Sequence, residues 1–196
     1  MPDTLSLGFD TSAAHCAAAL FNGQTILATH HQPMQRGQAE HLFPLIQSVL
    51  DQADVALADL GVIGVGIGPG NFTGIRIAVA AARGLSLSLG IPAIGVTAPE
   101  AAAYGLPRPC RIIQPTRGGE VIWQDFITGT DTRPALGPAD ALPAGPAPSD
   151  PITPIAEAIA RIAHARRADR GPRPAPLYLR PADAAPARDR GPVMLP

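Results

Sequence analysis

The run Gly68-Pro69-Gly70-Asn71-Phe72-Thr73-Gly74-Ile75-Arg76 constrains the fold of this 196-residue chain more than any other stretch. It follows an apolar segment at 62–67 that reads as a strand, and it precedes small and apolar residues at 77–89 that read as a helix. Glycine reaches backbone angles closed to other residues and proline fixes its own, so a tight strand-to-helix turn is predicted. Asn71 or Thr73 is placed to cap the helix by accepting from one of its free N–H groups. Such a turn serves equally as an anion site, through its orphan N–H groups and the helix dipole, or as a structural connection.

The same run excludes two phosphate-binding loops. The chain contains no lysine, so the loop is not a Walker A loop, and Schiff-base or lysine-nucleophile chemistry is absent with it. A dinucleotide fingerprint needs a third glycine at position 73, where threonine stands.

The rest of residues 1–105 predicts one lobe. A strand at 5–9 ends in Asp10-Thr11-Ser12, and a hairpin follows, with strands at 16–21 and 25–29 turning at Asn22-Gly23. A helix is predicted at 38–53 with Leu42, Leu45, Ile46, Val49 and Leu50 on one stripe. The second helix, 72–89, is slim, with Ala78, Ala80, Ala81, Ala82 and Gly84, which suits packing on its own sheet or on another helix. A strand at 93–96 leads to Thr97-Ala98-Pro99-Glu100, a capping-box signature.

Composition changes after residue 106. Seventeen of the 23 prolines lie beyond it, as do twelve of the fifteen arginines. Strands are predicted at 111–114 and 121–127, joined through Arg117-Gly118-Gly119, and an amphipathic helix at 155–166. Residues 130–154 lack periodicity and read as irregular or mobile. Residues 176–180 read as a short strand or docking segment before a loose tail. The net charge of −1 advertises neither a nucleic-acid nor a membrane surface. No apolar leader is read before Leu5 and no segment is read as long enough to span a bilayer, so a cytoplasmic location is expected.

Candidate chemistry is sparse. The five histidines include no i,i+4 pair, the two cysteines form no Cys-x-x-Cys, and no Gly-x-Ser-x-Gly elbow occurs. His41, on the first long helix, reads as a surface or interface residue rather than a metal ligand. Asp10-Thr11-Ser12 at the strand end offers a carboxylate and two hydroxyls, which suit hydrated magnesium and phosphate or the capping of a turn.

The order of these parts resembles the bacterial TsaB family. The likeness rests on Asp10-Thr11-Ser12, on Glu40-His41-Leu42-Phe43-Pro44-Leu45-Ile46, on the glycine-rich run with Gly95-Val96-Thr97, and on Leu177-Tyr178-Leu179-Arg180-Pro181. It covers residues 5–105 best. It implies an α/β, actin-like (Hsp70-like) ATPase fold: a mixed sheet with antiparallel hairpin strands first, helices packed on it, and a shortened second lobe at 106–196. It also implies a subunit with no catalytic residues of its own that binds TsaD, the enzyme transferring threonylcarbamoyl to the adenosine beside the tRNA anticodon, with the ATPase TsaE docking on the pair. The resemblance leaves open a homodimer of the chain alone, while tRNA is met only through the complex and ATP or ADP belongs to the partner interface.

Carried onto this chain, the interface draws on His41, Leu42, Leu45, Ile75, Val79, Ala82 and Leu89, so that Ala82→Arg should break the complex. Asp10, Thr11, Ser12, Gly68, Gly70, Asn71, Thr73 and Gly74 become a vestigial phosphate site. Departures from the family pattern are Asn71 in place of a serine and the loss of an aspartate near Gln114. The rival reading is a nucleotide-dependent phosphotransferase or ATPase of the same fold, working through Asp10 and residues 68–74. A peptidase reading finds no metal ligands, activated nucleophile or paired acids in the sequence.

Overall fold

A computed structural model describes residues 4–169 and 171–179. Side-chain alternation in β1 (Leu5–Asp10) sets the two faces of the main sheet, because successive residues point to opposite sides. Leu7 and Phe9 face one layer, and Ser6, Gly8 and Asp10 the other. The hairpin strands β2 (His15–Phe21) and β3 (Ile26–Pro33) pair antiparallel, and β4 (Leu60–Gly66) and β5 (Ala93–Val96) add parallel strands on the other side. The order β3-β2-β1-β4-β5, with β2 running against the rest, is that of the expected actin-like lobe. The Asn22 side chain fixes the hairpin by accepting from the Gln24 and Thr25 amides at 2.9 and 2.8 Å.

One face is covered by α1 (Gln38–Gln52) and α2 (Phe72–Leu89). Leu42, Leu45, Ile46, Val49 and Leu50 of α1 and Ala78, Ala82 and Leu85 of α2 join Leu7, Phe9, Ile63 and Val65 in the main core. This packing corrects the expected interface. Leu42, Leu45, Ile75, Val79 and Ala82 are buried within the chain itself, because the apolar stripe of each helix faces its own sheet. Of the seven residues, His41 is exposed and Leu89 half-buried.

A short helix, α3 (Ala98–Ala102), begins at the predicted capping box, where Thr97 accepts from the Glu100 amide at 3.2 Å. The opposite face of the sheet is covered by α4 (Ile155–Ala165). That face is lined by Gly8, Gly64, Ala17 and Ala19, so the backbone of α4 approaches closely: a Cβ on Gly8 would stand 2.4 Å from the Ala160 nitrogen. The expected boundary after residue 105 therefore does not describe the packing, since α4 is a layer of the first lobe.

The second lobe is an antiparallel meander of β6 (Cys110–Pro115), β7 (Glu120–Phe126) and β8 (Ala135–Pro138). The buried Arg111 forks onto Asp125 at 2.5 and 2.8 Å and donates to the Pro143 carbonyl at 2.8 Å. Its own amide and carbonyl bond Ala147 and Ser149. Residues 130–154, expected to be irregular or mobile, thus contain β8 and are stapled to β6 through one arginine.

By length and composition alone α2 would suffice to cross a bilayer, with mean hydropathy 1.2, but its apolar stripe at Ala78, Ala82 and Leu85 packs into the core of its own lobe. Residues 176–179 dock without forming a strand, while Arg180, Pro181 and the expected loose tail lie outside the described residues.

Candidate functional site

The ends of β1 and β4 carry the predicted site. Asp10 is fully buried, and its Oδ2 accepts from the Ser12 amide at 2.9 Å and the Ser12 hydroxyl at 3.0 Å. The same oxygen lies 2.7 Å from His15 Nε2. Oδ1 makes no hydrogen bond and packs over Gly66, where a Cβ would stand 1.8 Å away. Asp10 therefore organises the turn from β1 into β2. Beside it, burial and then the Asp10 charge push the Cys16 thiol up to about 11, so that this cysteine is a core residue and not a nucleophile.

The glycine-rich run lies directly against this turn. The Asn71 amide donates to the Ser12 carbonyl at 2.6 Å, and Thr11 Oγ1 donates to the Gly74 carbonyl at 2.7 Å. A Cβ on Gly70 would stand 2.2 Å from the Ser12 oxygen, and one on Gly74 would stand 1.9 Å from the Thr11 oxygen. The two glycines thus admit backbone carbonyls of residues 11 and 12. Asn71 caps α2 as predicted, accepting from the Gly74 amide at 2.9 Å. Two amides of the loop are engaged within the chain, that of Asn71 by the Ser12 carbonyl and that of Gly74 by the Asn71 side chain.

The structure therefore brings together Asp10, Thr11, Ser12, Gly70, Asn71 and Gly74. Thr73 lies on the exposed first turn of α2, and Gly68, at φ 90°, packs under Ile75 and Leu177. His15 as the partner of Asp10 was legible: Asp10 pairs with Ala17, and His15 lies two residues from Ala17 on the same face of β2.

In front of the turn an open cleft of about 1190 Å³ separates the lobes. Ser12, His15 and Asn71 line its first-lobe wall, and Gln114, Thr116 and Ile122 the second-lobe wall. A ring-and-guanidinium cluster stands at its rim. The Arg76 guanidinium lies 3.6 Å over the Phe72 ring, and its Nε donates to the Tyr178 hydroxyl at 2.8 Å. None of these three residues was singled out as a site from the sequence, since 102 positions separate Arg76 from Tyr178.

Residues 28–130 match the family described as "TsaD: tRNA N6-adenosine threonylcarbamoyltransferase". The tRNA threonylcarbamoyladenosine biosynthesis protein TsaB of Escherichia coli is 34% identical over 125 residues, covering 61% of this chain and 54% of that protein. The chain belongs to the TsaB family.

An uncharacterized protein of Mycobacterium tuberculosis is 32% identical over 168 residues, covering 77% of this chain and 79% of that one. Among solved structures, YeaZ from Pseudomonas aeruginosa superposes with a TM-score of 0.71 at 26% identity, covering 90% of this chain and all of that one. This TsaB-family chain spans about half the length of the first relative, Escherichia coli TsaB.

Proposed function

We propose that this chain is a non-catalytic subunit that binds and stabilises TsaD for threonylcarbamoyl transfer to the adenosine beside the anticodon, in tRNAs reading codons that begin with A. In this reading the pair works in the cytoplasm and TsaE docks on it. The isolated chain homodimerises, tRNA is met only through the complex, and any ATP or ADP sits at the partner interface. Membership of the TsaB family supports the pathway, and the outer face of α2 carries the mode of action.

That face presents Ala80, Gly84 and Leu87 at i, i+4 and i+7, one stripe of the helix. Leu87 is 82% exposed and nothing lies within 4 Å of the Cβ position of Gly84. On α1, Phe43 is 51% exposed. Small residues flanked by an exposed leucine let a partner helix approach closely and cover apolar surface, on the order of 1,200–2,000 Å² in total for a stable pair. The rival nucleotide-enzyme reading loses support because the Asn71 and Gly74 amides, which would grip a phosphate, are already hydrogen-bonded to the Ser12 carbonyl and the Asn71 side chain.

The test is association of the purified chain with TsaD from the same cells, joined to nucleoside mass spectrometry of tRNA after depletion. A complex at micromolar concentration and loss of threonylcarbamoyladenosine are expected. Two folded proteins that do not associate would remove the proposal.

A further inference from the structure

We propose that residues 174–179 form a releasable strap across the interlobe cleft, with Tyr178 as its latch. Pro174 is buried at the edge of β5, where a Cβ on Gly95 would lie 3.6 Å from its ring. Beyond it every residue to 179 is half-buried or exposed. Among the described residues, the one backbone hydrogen bond of 171–179 runs from the Leu177 amide to the Ile67 carbonyl at 2.8 Å. Among the described residues the strap is thus anchored at Pro174 and held beyond it by one backbone bond and side-chain contacts.

The end beyond Pro174 has a built seat. Tyr178 accepts from Arg76 at 2.8 Å, and its ring centroid lies 4.9 Å from that of Phe72. Phe72 and Arg76 stand one helical turn apart at the start of α2, so both reach the same ring. The Leu177 carbonyl crosses Gly68, where a Cβ would stand 3.1 Å from it. The position of the strap thus follows the loop that precedes α2. Leu177, Tyr178 and Leu179 line the cleft, facing a second-lobe wall that includes Ile122 and Leu136.

Segments with few buried contacts open locally without global unfolding. Lifting residues 176–179 about Pro174 breaks one backbone bond and the Tyr178 contacts while leaving α4, with six buried residues, in place. The cleft then gains the apolar surface that Leu177 and Leu179 cover, and Phe72 and Arg76 become free. The strap gates that surface, and whatever takes the seat of Tyr178 holds the gate open.

Hydrogen exchange of the whole chain, followed residue by residue, tests it alongside binding of the dye anilinonaphthalene sulfonate. In the wild type the Leu177 amide is expected to exchange through local opening, well before the amides of β4. Tyr178→Ala should speed Leu177 exchange about tenfold, as loss of one hydrogen bond and one ring contact implies. It should leave the β4 and α4 amides unchanged and increase dye binding, and Tyr178→Phe, keeping the ring alone, should fall between. Exchange of Leu177 together with β4 in the wild type would overturn the strap. So would equal acceleration of all three segments in Tyr178→Ala, or faster Leu177 exchange with no gain in dye binding.

Discussion

Thr11 and Gly74 join the two halves of the candidate site: the Thr11 hydroxyl donates to the Gly74 carbonyl at 2.7 Å, and a Cβ on Gly74 would stand 1.9 Å from the Thr11 carbonyl oxygen. Neither group can give way, because each belongs to backbone held by further bonds. Gly74→Ala should therefore cost about 2 kcal/mol despite alanine's better helix propensity, since overpacking against backbone outweighs it. Urea denaturation measures this. Unchanged stability would mean that the turn and the loop are not held together.

Gly8 and Gly84 make a matched contrast. A Cβ on Gly8 would stand 2.4 Å from the Ala160 nitrogen and 2.5 Å from the Ala156 oxygen, so α4 must lift from the sheet to admit it. Gly8→Ala is expected to lower stability by about 3 kcal/mol. Gly84 lies within α2 with nothing inside 4 Å, so Gly84→Ala should raise stability by about 1 kcal/mol through helix propensity alone. Thermal unfolding of the two variants beside the wild type reads both signs.

On the proposed function, the two faces of α2 should separate binding from folding. Leu87→Arg places a charge on an 82% exposed site and should abolish association with TsaD while leaving the melting temperature within a few degrees. Ala82→Arg, first expected to report on the interface, forces a charge into a fully buried position and should unfold the chain. Normal association of Leu87→Arg would reassign the partner face.

Much of this was legible in the sequence, for physical reasons specific to each element. Asn22-Gly23, Thr97 through Glu100, and Asn71 ahead of Gly74 announce turns and caps through contacts four residues apart or fewer, so local chemistry suffices. The end of α2 at Gly90, in a left-handed conformation, is of the same kind. Which helix face is buried was also readable, since Leu42, Leu45, Ile46 and Val49 form one stripe, but a stripe of that kind marks the sheet before it marks a partner. The return of α4 to the first sheet was hidden, because Gly8 and Gly64 show their purpose only once a helix lies on them. The Tyr178–Arg76 contact joins residues too far apart for any periodic pattern.

Arg111 and Asp125 stand directly opposite each other on β6 and β7, equidistant from Gly118 in the connecting turn. Both are buried, and the arginine's proton is held more tightly than usual, first by the hydrogen bond to Asp125. Asp125→Asn would leave a buried guanidinium facing a neutral amide, at a cost of about 3 kcal/mol. Because Arg111 also fixes the Pro143 carbonyl, the variant should become sensitive to proteolysis within residues 139–149. A protease digest that leaves this stretch intact would show that the staple is not what holds it.

Cys16 supplies the pH dependence. Its thiol is raised from an ordinary value of 9.0 to about 11 in the folded chain, by burial first and the Asp10 charge second. The folded state therefore favours the protonated thiol. That contribution is fully present below about pH 9 and is lost as pH rises towards 11. The gap in stability between the wild type and Cys16→Ala should then shrink by about 2 kcal/mol between pH 8 and pH 11, because alanine has no proton to lose. Denaturation of the pair at both pH values measures the change, and differencing removes every group the two proteins share. A gap that stays constant would place the thiol near its ordinary value and would mean that Asp10 and the core around Cys16 do not act on it.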